Sequence, residues 1–395
     1  MAGPVGVDPV GRVVQNLFIL QRLGTTISKE GEVLLNALVA QIVDDLKRID
    51  PTAPKLKKWQ TYRTEELIRT VRARLREAFP AWEKVVRDRL AVVGRSQGEY
   101  AQGTLVASLG ETAAAGVIRN TPITQARVRT ILNTLPFGGA GEQHLLAEWA
   151  AGLEATTYNR IVGQIRAGMT FEEGIPEITR RLRGTSAGFK EVGGRMVHDF
   201  RGGVYKATTR NAEAVVRTAV TFISSKSHLE TYRANKGALA GVQYSAALDD
   251  RTTALCLSLD GTIWAVDSPK IVVPGDTTHV NCRSTLVPVP DYEKFGLEPP
   301  PDGYRKARDL SGLEPADMRK KITTRRGQGL LGKQTSVSSR TTAEEWFRRQ
   351  PAWIQNRQIG KGKAELFRAG EISLKDLVKG DNSIISLRDL LEGLG

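Results

Sequence analysis

The alternation of apolar and polar residues that is typical of β-strands is confined to one short part of this 395-residue chain. Val242 and Tyr244 alternate with polar neighbours, and further short strands are predicted at 261–265 and 284–287. The first half of the chain instead carries apolar residues at helical spacing. We therefore predict an α+β fold, in which a mostly α-helical N-terminal half precedes a small β-rich module over residues 241–290.

Composition divides the rest of the chain into further stretches. An N-terminal helical region is predicted over 1–135, and residues 144–290 are predicted to form a domain in which helices precede the β-rich module. Residues 291–341 are rich in proline, glycine and basic side chains, which predicts an extended arm. Thr342, with a glutamate three residues later, predicts a capped helical tail over 342–395. The aromatic residues of this tail are expected to form a small apolar core or to dock on a neighbouring subunit as a helical hairpin.

Local signals in the first half predict several separate helices. A second helix is predicted to begin after Ser28, and Pro80 is expected to break or kink a later one. Glycine and threonine residues near 103–123 are expected to interrupt the helical pattern again. A long amphipathic helix is predicted from Arg210 to a stop at Gly237, immediately before the β-rich module.

A formal net charge of +14 indicates an anionic partner, either nucleic acid or an acidic protein surface. The basic stretch from Arg305 to Arg340 is the candidate contact, although it carries no recognised DNA-reading motif. No apolar run is long enough to cross a membrane and no signal peptide is visible, so we expect a chain made and assembled in a cytoplasm, without a membrane partner. The residues predicted to contact DNA or a partner protein are Arg319, Lys320, Lys321, Arg325 and Arg326.

The two cysteines of the chain, Cys256 and Cys282, both lie in the β-rich module. So small a number excludes a disulfide scaffold and suits a reducing compartment. His279 stands three residues before Cys282 and forms a His-x-x-Cys motif with it. In chain order the segment reads Asp-Asp-Arg-Thr, Cys256, a Leu-Asp-Gly turn, Trp264, and then His-Val-Asn-Cys-Arg.

This ordered set of motifs resembles the F-like head morphogenesis proteins of tailed bacteriophages, the family named after the F protein of phage Mu. Members show Asp-x-Arg-Thr, a cysteine shortly after it, a Leu-Asp-Gly turn, and His-x-x-Cys-Arg near the end. The resemblance covers roughly residues 145–290, with weaker similarity at 342–380, and many relatives have further cysteines where this chain has Thr253 and Ser284. The residues that carry the motifs are Asp249, Arg251, Thr252, Cys256, Asp260, Gly261, Trp264, His279, Asn281, Cys282 and Arg283.

The resemblance implies a structural minor capsid protein rather than an enzyme. It implies a place at the portal vertex of the phage head, in low copy number, and a role in procapsid assembly or in DNA ejection. The expected partners are the portal protein, the major capsid or scaffolding protein, and packaged double-stranded DNA. The alternative is a DNA-binding or DNA-processing enzyme such as a nuclease, which would need an acidic cluster for Mg²⁺ that the sequence does not reveal.

Three interpretations of Cys256, His279 and Cys282 stay open at the level of sequence. In the first, the cysteines are buried as small apolar side chains, His279 hydrogen-bonds a backbone carbonyl or a carboxylate, and no cofactor is bound. In the second, the three residues hold a structural zinc ion and an aspartate supplies the fourth ligand. The third is a disulfide formed after lysis. The candidate fourth ligands are Asp249, Asp250 and Asp276, and the carboxylates expected to pair with Arg251 and Arg283 are Asp249, Asp250 and Asp260.

Overall fold

The computed structural model of the chain is mainly helical with small antiparallel sheets, which confirms the predicted α+β class. The residues that it describes are 6–49, 61–119, 121, 123–139, 141–171, 173–192, 195–315 and 333–394. The helices of these residues are α1 (Pro9–Ile49), α2 (Thr61–Leu109), α3 (Glu111–Ala115), α4 (Gln125–Thr134), α5 (Leu146–Thr170), α6 (Ile175–Arg183), α7 (Gly203–Ala234), α8 (Ala254–Leu259), α9 (Ala343–Arg348), α10 (Ala352–Ile359), α11 (Lys361–Ala369) and α12 (Leu387–Leu394). The strands are β1 (Thr185–Val192), β2 (Arg195–Arg201), β3 (Leu239–Ser245), β4 (Ile263–Trp264), β5 (Thr285–Pro290), β6 (Tyr304–Asp309) and β7 (Lys333–Ser338).

Helices of the first half are longer than the sequence predicts. α1 continues through Ser28, whose hydroxyl donates to a main-chain carbonyl one turn earlier and so does not end the helix. α2 contains Pro80 and continues through Gly103. Phe79 and Trp82, on either side of the proline, are each only 1% exposed. Burial of these two aromatic rings outweighs the cost of a proline in a helix interior, about 3 kcal/mol.

The described residues divide into two compact units, each assembled from separate stretches of the chain. Unit 1 consists of 1–20, 94–123 and 224–395, and unit 2 of 21–93 and 124–223. These units cut across the linear segments expected from the sequence, because α1, α2 and α7 each supply residues to both. Sequence patterns report local structure and contain no signal for such a division.

The described part of unit 2 is mainly helical and contains an antiparallel ribbon of β1 and β2 that the sequence did not predict. Phe137 stacks on Phe222 in its core, with ring centroids 5.2 Å apart. The guanidinium of Arg74 on α2 donates to both carboxylate oxygens of Asp45 on α1, at 2.9 Å for the Nη2–Oδ1 contact. This two-pronged pair sets the register between the two helices at one point of the unit.

The three strands that the sequence predicts form one sheet in unit 1, in the order β4–β3–β5. Both neighbours run antiparallel to β3, with Val242 opposite Trp264 and Tyr244 opposite Leu286. Because β3 is central, alternate side chains such as Val242 and Tyr244 are fully buried. The sheet is therefore a core element, and α8 and the turn before β5 carry the Cys/His motifs.

The C-terminal tail begins where the sequence predicts. The Thr342 hydroxyl accepts from the Glu345 amide (3.2 Å), and the Glu345 carboxylate accepts from the Thr342 amide (2.9 Å). The sequence left two alternatives for the aromatic residues of the tail. The apolar core is confirmed, because Trp346, Phe347 and Phe367 are buried within unit 1. The same burial leaves these rings no surface for docking on a neighbouring subunit, so that alternative is wrong. The apolar side chains of this core include Leu248, Leu257, Ala307, Leu310, Trp346, Phe347, Ile354, Phe367 and Leu374.

The predicted basic arm, residues 291–341, contains two strands, β6 and β7. β6 pairs with β7 along its whole length, from Tyr304 opposite Ser338 to Asp309 opposite Lys333. Arg305, expected among the exposed cations of the arm, is instead 3% exposed. The predicted contact residues between 319 and 326 lie outside the described residues, and their role stays a prediction.

The packing of Gly31 on α1 against the indole of Trp82 gives a test of unit 2. A Cβ at Gly31 would lie 2.5 Å from the Trp82 Nε1, so we expect Gly31→Ala to lower the free energy of unfolding. Overpacking costs about 1–3 kcal/mol, against about 1 kcal/mol gained from helix propensity. Gly163→Ala on α5, where an added Cβ would contact no atom beyond its chain neighbours and its own helix backbone, is the matched control and should leave stability unchanged or raise it. Thermal melting by circular dichroism measures both, and equal melting temperatures would contradict the packing.

Candidate Cys/His site

Two local structures bring Cys256, His279 and Cys282 together. Cys256 lies in the first turn of α8, where its amide donates to the hydroxyl of the N-cap residue Thr253 (3.4 Å). His279 and Cys282 lie in a turn before β5, closed by a hydrogen bond from the Cys282 amide to the His279 carbonyl (3.2 Å). Asn281 occupies the left-handed region in this turn, with a φ of 60°, which asparagine tolerates better than most residues.

The side-chain atoms of the three residues are close neighbours. The Cys256 Sγ is 3.1 Å from the His279 Nε2 and 3.8 Å from the Cys282 Sγ. The potential ligand atoms of the group all lie within 4.8 Å of one another. Both cysteines are free thiols at 1% exposure, and His279 is partly buried. The His-x-x-Cys motif and the more distant cysteine thus form a single cluster.

Tyr244 belongs to the cluster, although sequence reasoning treated it only as a strand residue. Its side chain is fully buried, and its hydroxyl donates to the Cys256 Sγ at 3.2 Å and lies 3.9 Å from the Cys282 Sγ. Burial holds the pKa of Tyr244 well above its usual value, so it stays a neutral donor. The available signal was a hydroxyl-bearing aromatic residue on the buried face of the strand, twelve residues before a cysteine.

The two thiols titrate as a coupled pair. The hydrogen bond with Cys282, together with burial, holds the pKa of Cys256 well above its usual value. Burial opposes ionisation of Cys282 as well, but hydrogen bonds from Cys256 and His279 hold its pKa well below the usual value. Burial also acts against the charged form of His279, yet its interaction with Cys282 raises the pKa of the imidazole. The cluster therefore favours one thiolate, stabilised by a neighbouring histidine.

The aspartates considered as a fourth zinc ligand are all engaged by cations. Asp249 forms a two-pronged pair with Arg283, at 2.6 Å for the Nη2–Oδ1 contact. Asp276 pairs with Lys226 at 2.6 Å. Asp250, with a side chain only 3% exposed, lies 3.7 Å from the Arg357 guanidinium. Among the described residues, none of the three carboxylates joins the Cys/His cluster.

The Asp-x-Arg-Thr motif forms a tight turn on Asp249. The Asp249 carboxylate accepts from the Arg251 amide (2.9 Å) and from the Thr252 hydroxyl (3.2 Å), in addition to Arg283. The expected pairing of Arg283 with a carboxylate of the module is thus found. Gln358 on α10 donates to the carbonyls of Asp249 and Thr252, at 3.0 Å each. The motif therefore also anchors the C-terminal tail.

The aspartate of the Leu-Asp-Gly turn is paired with an unexpected partner, Arg305. The Oδ1 of Asp260 accepts from the Ala246 amide (2.8 Å) and from the Arg305 Nη2 (2.9 Å). Its Oδ2 accepts from the Ala343 amide (2.8 Å) and from the Arg305 Nη1 (3.1 Å). The side chains are 2% and 4% exposed. The sequence analysis missed Arg305 because it assigned every cation after Pro301 to the basic arm. Ala307, two residues later on the same strand face, was the signal that this face is buried.

The other motif residues shape the edge of the sheet beside this pair. Gly261 follows Asp260 with a φ of 80°, a conformation in which a side chain would be strained. Trp264 on β4 is partly buried and meets the Tyr244 ring edge-on, with centroids 6.5 Å apart and planes at 82°. These contacts support the cluster and the turn without adding a reactive group.

Comparison with known proteins gives one finding. Residues 156–287 match the family described as Phage Mu protein F like protein. The match begins within α5 and ends within β5, so it includes the Cys/His cluster and Asp260 but neither β6, β7 nor the tail. No curated protein and no solved structure matches the chain. Within the described part of the chain, no helix is long and apolar enough to span a membrane.

The buried pair of Asp260 and Arg305 is tested by removing its negative charge. Asp260→Asn leaves the Arg305 guanidinium buried without a counter-charge, and we expect a loss of about 3–5 kcal/mol in the free energy of unfolding. Asp302→Asn is the matched control, because its ion pair with Arg340 is solvent-exposed and worth at most about 1 kcal/mol. Adding Arg305→Met to Asp260→Asn should recover part of the loss. Denaturant unfolding measures all three variants, and equal effects of the two asparagine substitutions would rule out the proposed role of the pair.

Proposed function

We propose that this chain, which belongs through residues 156–287 to the Phage Mu protein F like family, is a minor structural protein of a bacteriophage head. We propose further that it joins the portal vertex during procapsid assembly. The family indicates head morphogenesis and a place in the virion. The place at the portal vertex, with the portal protein as direct partner, rests on the resemblance carried by the Asp-x-Arg-Thr, Leu-Asp-Gly and His-x-x-Cys-Arg motifs.

The family match is the single observation that carries the proposal. The structure adds the contacts that the matched motifs make. The matched motifs make buried contacts that hold segments of one unit together: Asp249 with Arg283, and Asp260 with Arg305. Such contacts suit a scaffold for partner-binding surfaces, because their charged groups pair with one another inside the unit and do not face a substrate. The structural role is therefore favoured over an enzymatic one.

A nuclease is the alternative function. Mg²⁺ in such enzymes is held by oxygen ligands, mainly carboxylates. Among the described residues, the cluster of potential metal ligands consists of two cysteines and one histidine. Asp249, Asp250 and Asp276 lie in the same module, but each is paired with a cation. These pairings favour the structural role, and a nuclease assay with Mg²⁺ on the purified chain is the direct check.

The basic segment is the proposed contact with packaged DNA or with an acidic surface of the portal or capsid protein. The strands that flank it end and begin at Asp309 and Lys333, which are paired with each other, so its two points of attachment lie close together. Leu310, the first residue after β6, is fully buried and anchors this base. The segment between contains two acidic residues, Glu314 and Asp317, and five lysines and arginines, a surplus of cations that suits a phosphate backbone.

Association with the portal protein is tested by assembly. The chain is co-expressed with the portal, scaffolding and major capsid proteins of its own phage, and procapsids are isolated by sedimentation. We expect the chain to sediment with procapsids, and to be lost from them when the portal gene is omitted. Incorporation that does not depend on the portal protein would reject the portal as partner, and a chain that never sediments with procapsids would reject the head role.

Contact with DNA is tested by the dependence of affinity on salt. A variant with glutamine at the five predicted contact residues should reduce the magnitude of the slope of log affinity against log salt by up to about 4.5, because fewer counterions are released. The matched control carries glutamine at exposed cations elsewhere, which gives the same change in net charge. Equal slopes for the two variants, or no binding by the wild type, would contradict DNA contact by this segment. The substituted residues are Arg319, Lys320, Lys321, Arg325 and Arg326 in the variant, and Arg48, Lys84, Arg89, Arg95 and Arg388 in the control.

A further inference from the structure

We propose that Cys256, His279 and Cys282 bind one zinc ion, as a buried site that joins α8 to the turn before β5. The site would act on the fold of unit 1 and is independent of the role proposed for the chain in the phage head. Its evidence is the arrangement of the three side chains, the hydrogen bonds around them, and the charges that a metal would bring.

The separation of the two sulfur atoms fits a shared metal. Two Zn–S bonds of about 2.3 Å that meet at a tetrahedral angle place their sulfurs about 3.8 Å apart. The Cys256 and Cys282 Sγ atoms are 3.8 Å apart. The 3.1 Å between the Cys256 Sγ and the His279 Nε2 is shorter than the roughly 3.5 Å of the same geometry, so the imidazole has to withdraw by a few tenths of an ångström.

The imidazole is already oriented for coordination. Its Nδ1 lies 2.9 Å from the Val280 carbonyl oxygen, which can only accept a hydrogen bond, so the ring proton resides on Nδ1. In the neutral ring, the lone pair of Nε2 then points toward the Cys256 Sγ. A backbone carbonyl that fixes the tautomer of a histidine in this way is the usual support of a metal-bound imidazole.

Charge balance favours the metal in this buried setting. A buried thiolate is costly unless it is paired, and both sulfurs are 1% exposed. A divalent ion with two thiolates and a neutral imidazole has no net charge. Arg283, the nearby cation of the module, is already neutralised by Asp249. The divalent ion would therefore stabilise both sulfurs as thiolates without leaving an unpaired charge in the core.

The fourth position of a tetrahedral site does not require a carboxylate. The Tyr244 hydroxyl, 3.2 Å from the Cys256 Sγ, is placed to donate to a metal-bound thiolate rather than to replace it. His279 is partly exposed, so solvent can supply the fourth ligand. The zinc interpretation left open by the sequence gave the fourth position to Asp249, Asp250 or Asp276, but those aspartates have other partners.

Metal content and cobalt substitution of the full-length chain test the proposal. We expect about one zinc per chain after purification without chelator. After removal of zinc, Co²⁺ should restore stoichiometric binding, with thiolate-to-cobalt charge-transfer absorption and the intense visible bands of tetrahedral coordination. Cys256→Ser and His279→Ala should each lose the stoichiometric metal. His144→Ala, which removes an exposed histidine of unit 2, is the matched control and should retain it.

Three results would overturn the proposal. The first is a wild-type chain that takes up neither zinc nor Co²⁺ at stoichiometric level under reducing conditions, which would leave a metal-free thiolate–histidine pair. The second is a Co²⁺ complex without thiolate bands. The third is a chain purified from the reducing cytoplasm whose mass lacks the two thiol hydrogens, which would identify a disulfide. The cobalt spectrum of the wild type decides the matter even if a variant fails to fold.

Discussion

The buried pair of Asp260 and Arg305 is the interaction on which unit 1 depends. Four places in the chain meet at one carboxylate: the end of β3, the turn before β4, strand β6, and the start of α9. Arg305 also donates to the carbonyls of Ala246 and Thr341, so both partners satisfy main-chain groups that would otherwise be buried without hydrogen bonds. A charge pair this deep contributes specificity through geometry more than net stability, since its desolvation is costly. It explains why a short Leu-Asp-Gly motif determines the position of segments more than eighty residues downstream.

The same module separates its polar groups into two sets. The acidic side chains pair with arginine or lysine, whereas the thiols and the imidazole contact one another and the Tyr244 hydroxyl. This separation keeps hard oxygen ligands away from soft sulfur ligands, which is the division that metal selectivity follows. It also gives two independent connections within unit 1, one through Asp260 to the ribbon and tail, and one through the sulfur cluster to α8.

Sequence patterns were sufficient for the parts of the fold that depend on local periodicity. The strands around Val242, Tyr244 and Leu286, the capping box at Thr342, and the family motifs were all readable. Pro80 was misjudged because packing of Phe79 and Trp82 overrides the local preference of proline, and no local window contains that information. Arg305 was misassigned because its partner lies 45 residues earlier in the chain. The clustering of Cys256 with Cys282 was open from sequence, since only the folded sheet decides which loops meet.

The antiparallel pairing of β6 with β7 limits how far the basic segment can act. A free tail could extend by its whole length, but a segment fixed at both ends can extend from its base by only half of it. Between Glu314 on one side and Lys333 on the other, this geometry allows a reach of roughly 30 Å, whatever conformation the segment adopts. A phosphate or acidic side chain that it contacts must therefore lie within about one small-domain diameter of the ribbon. Attachment at both ends thus raises the effective concentration of the segment at surfaces near the ribbon and excludes distant ones.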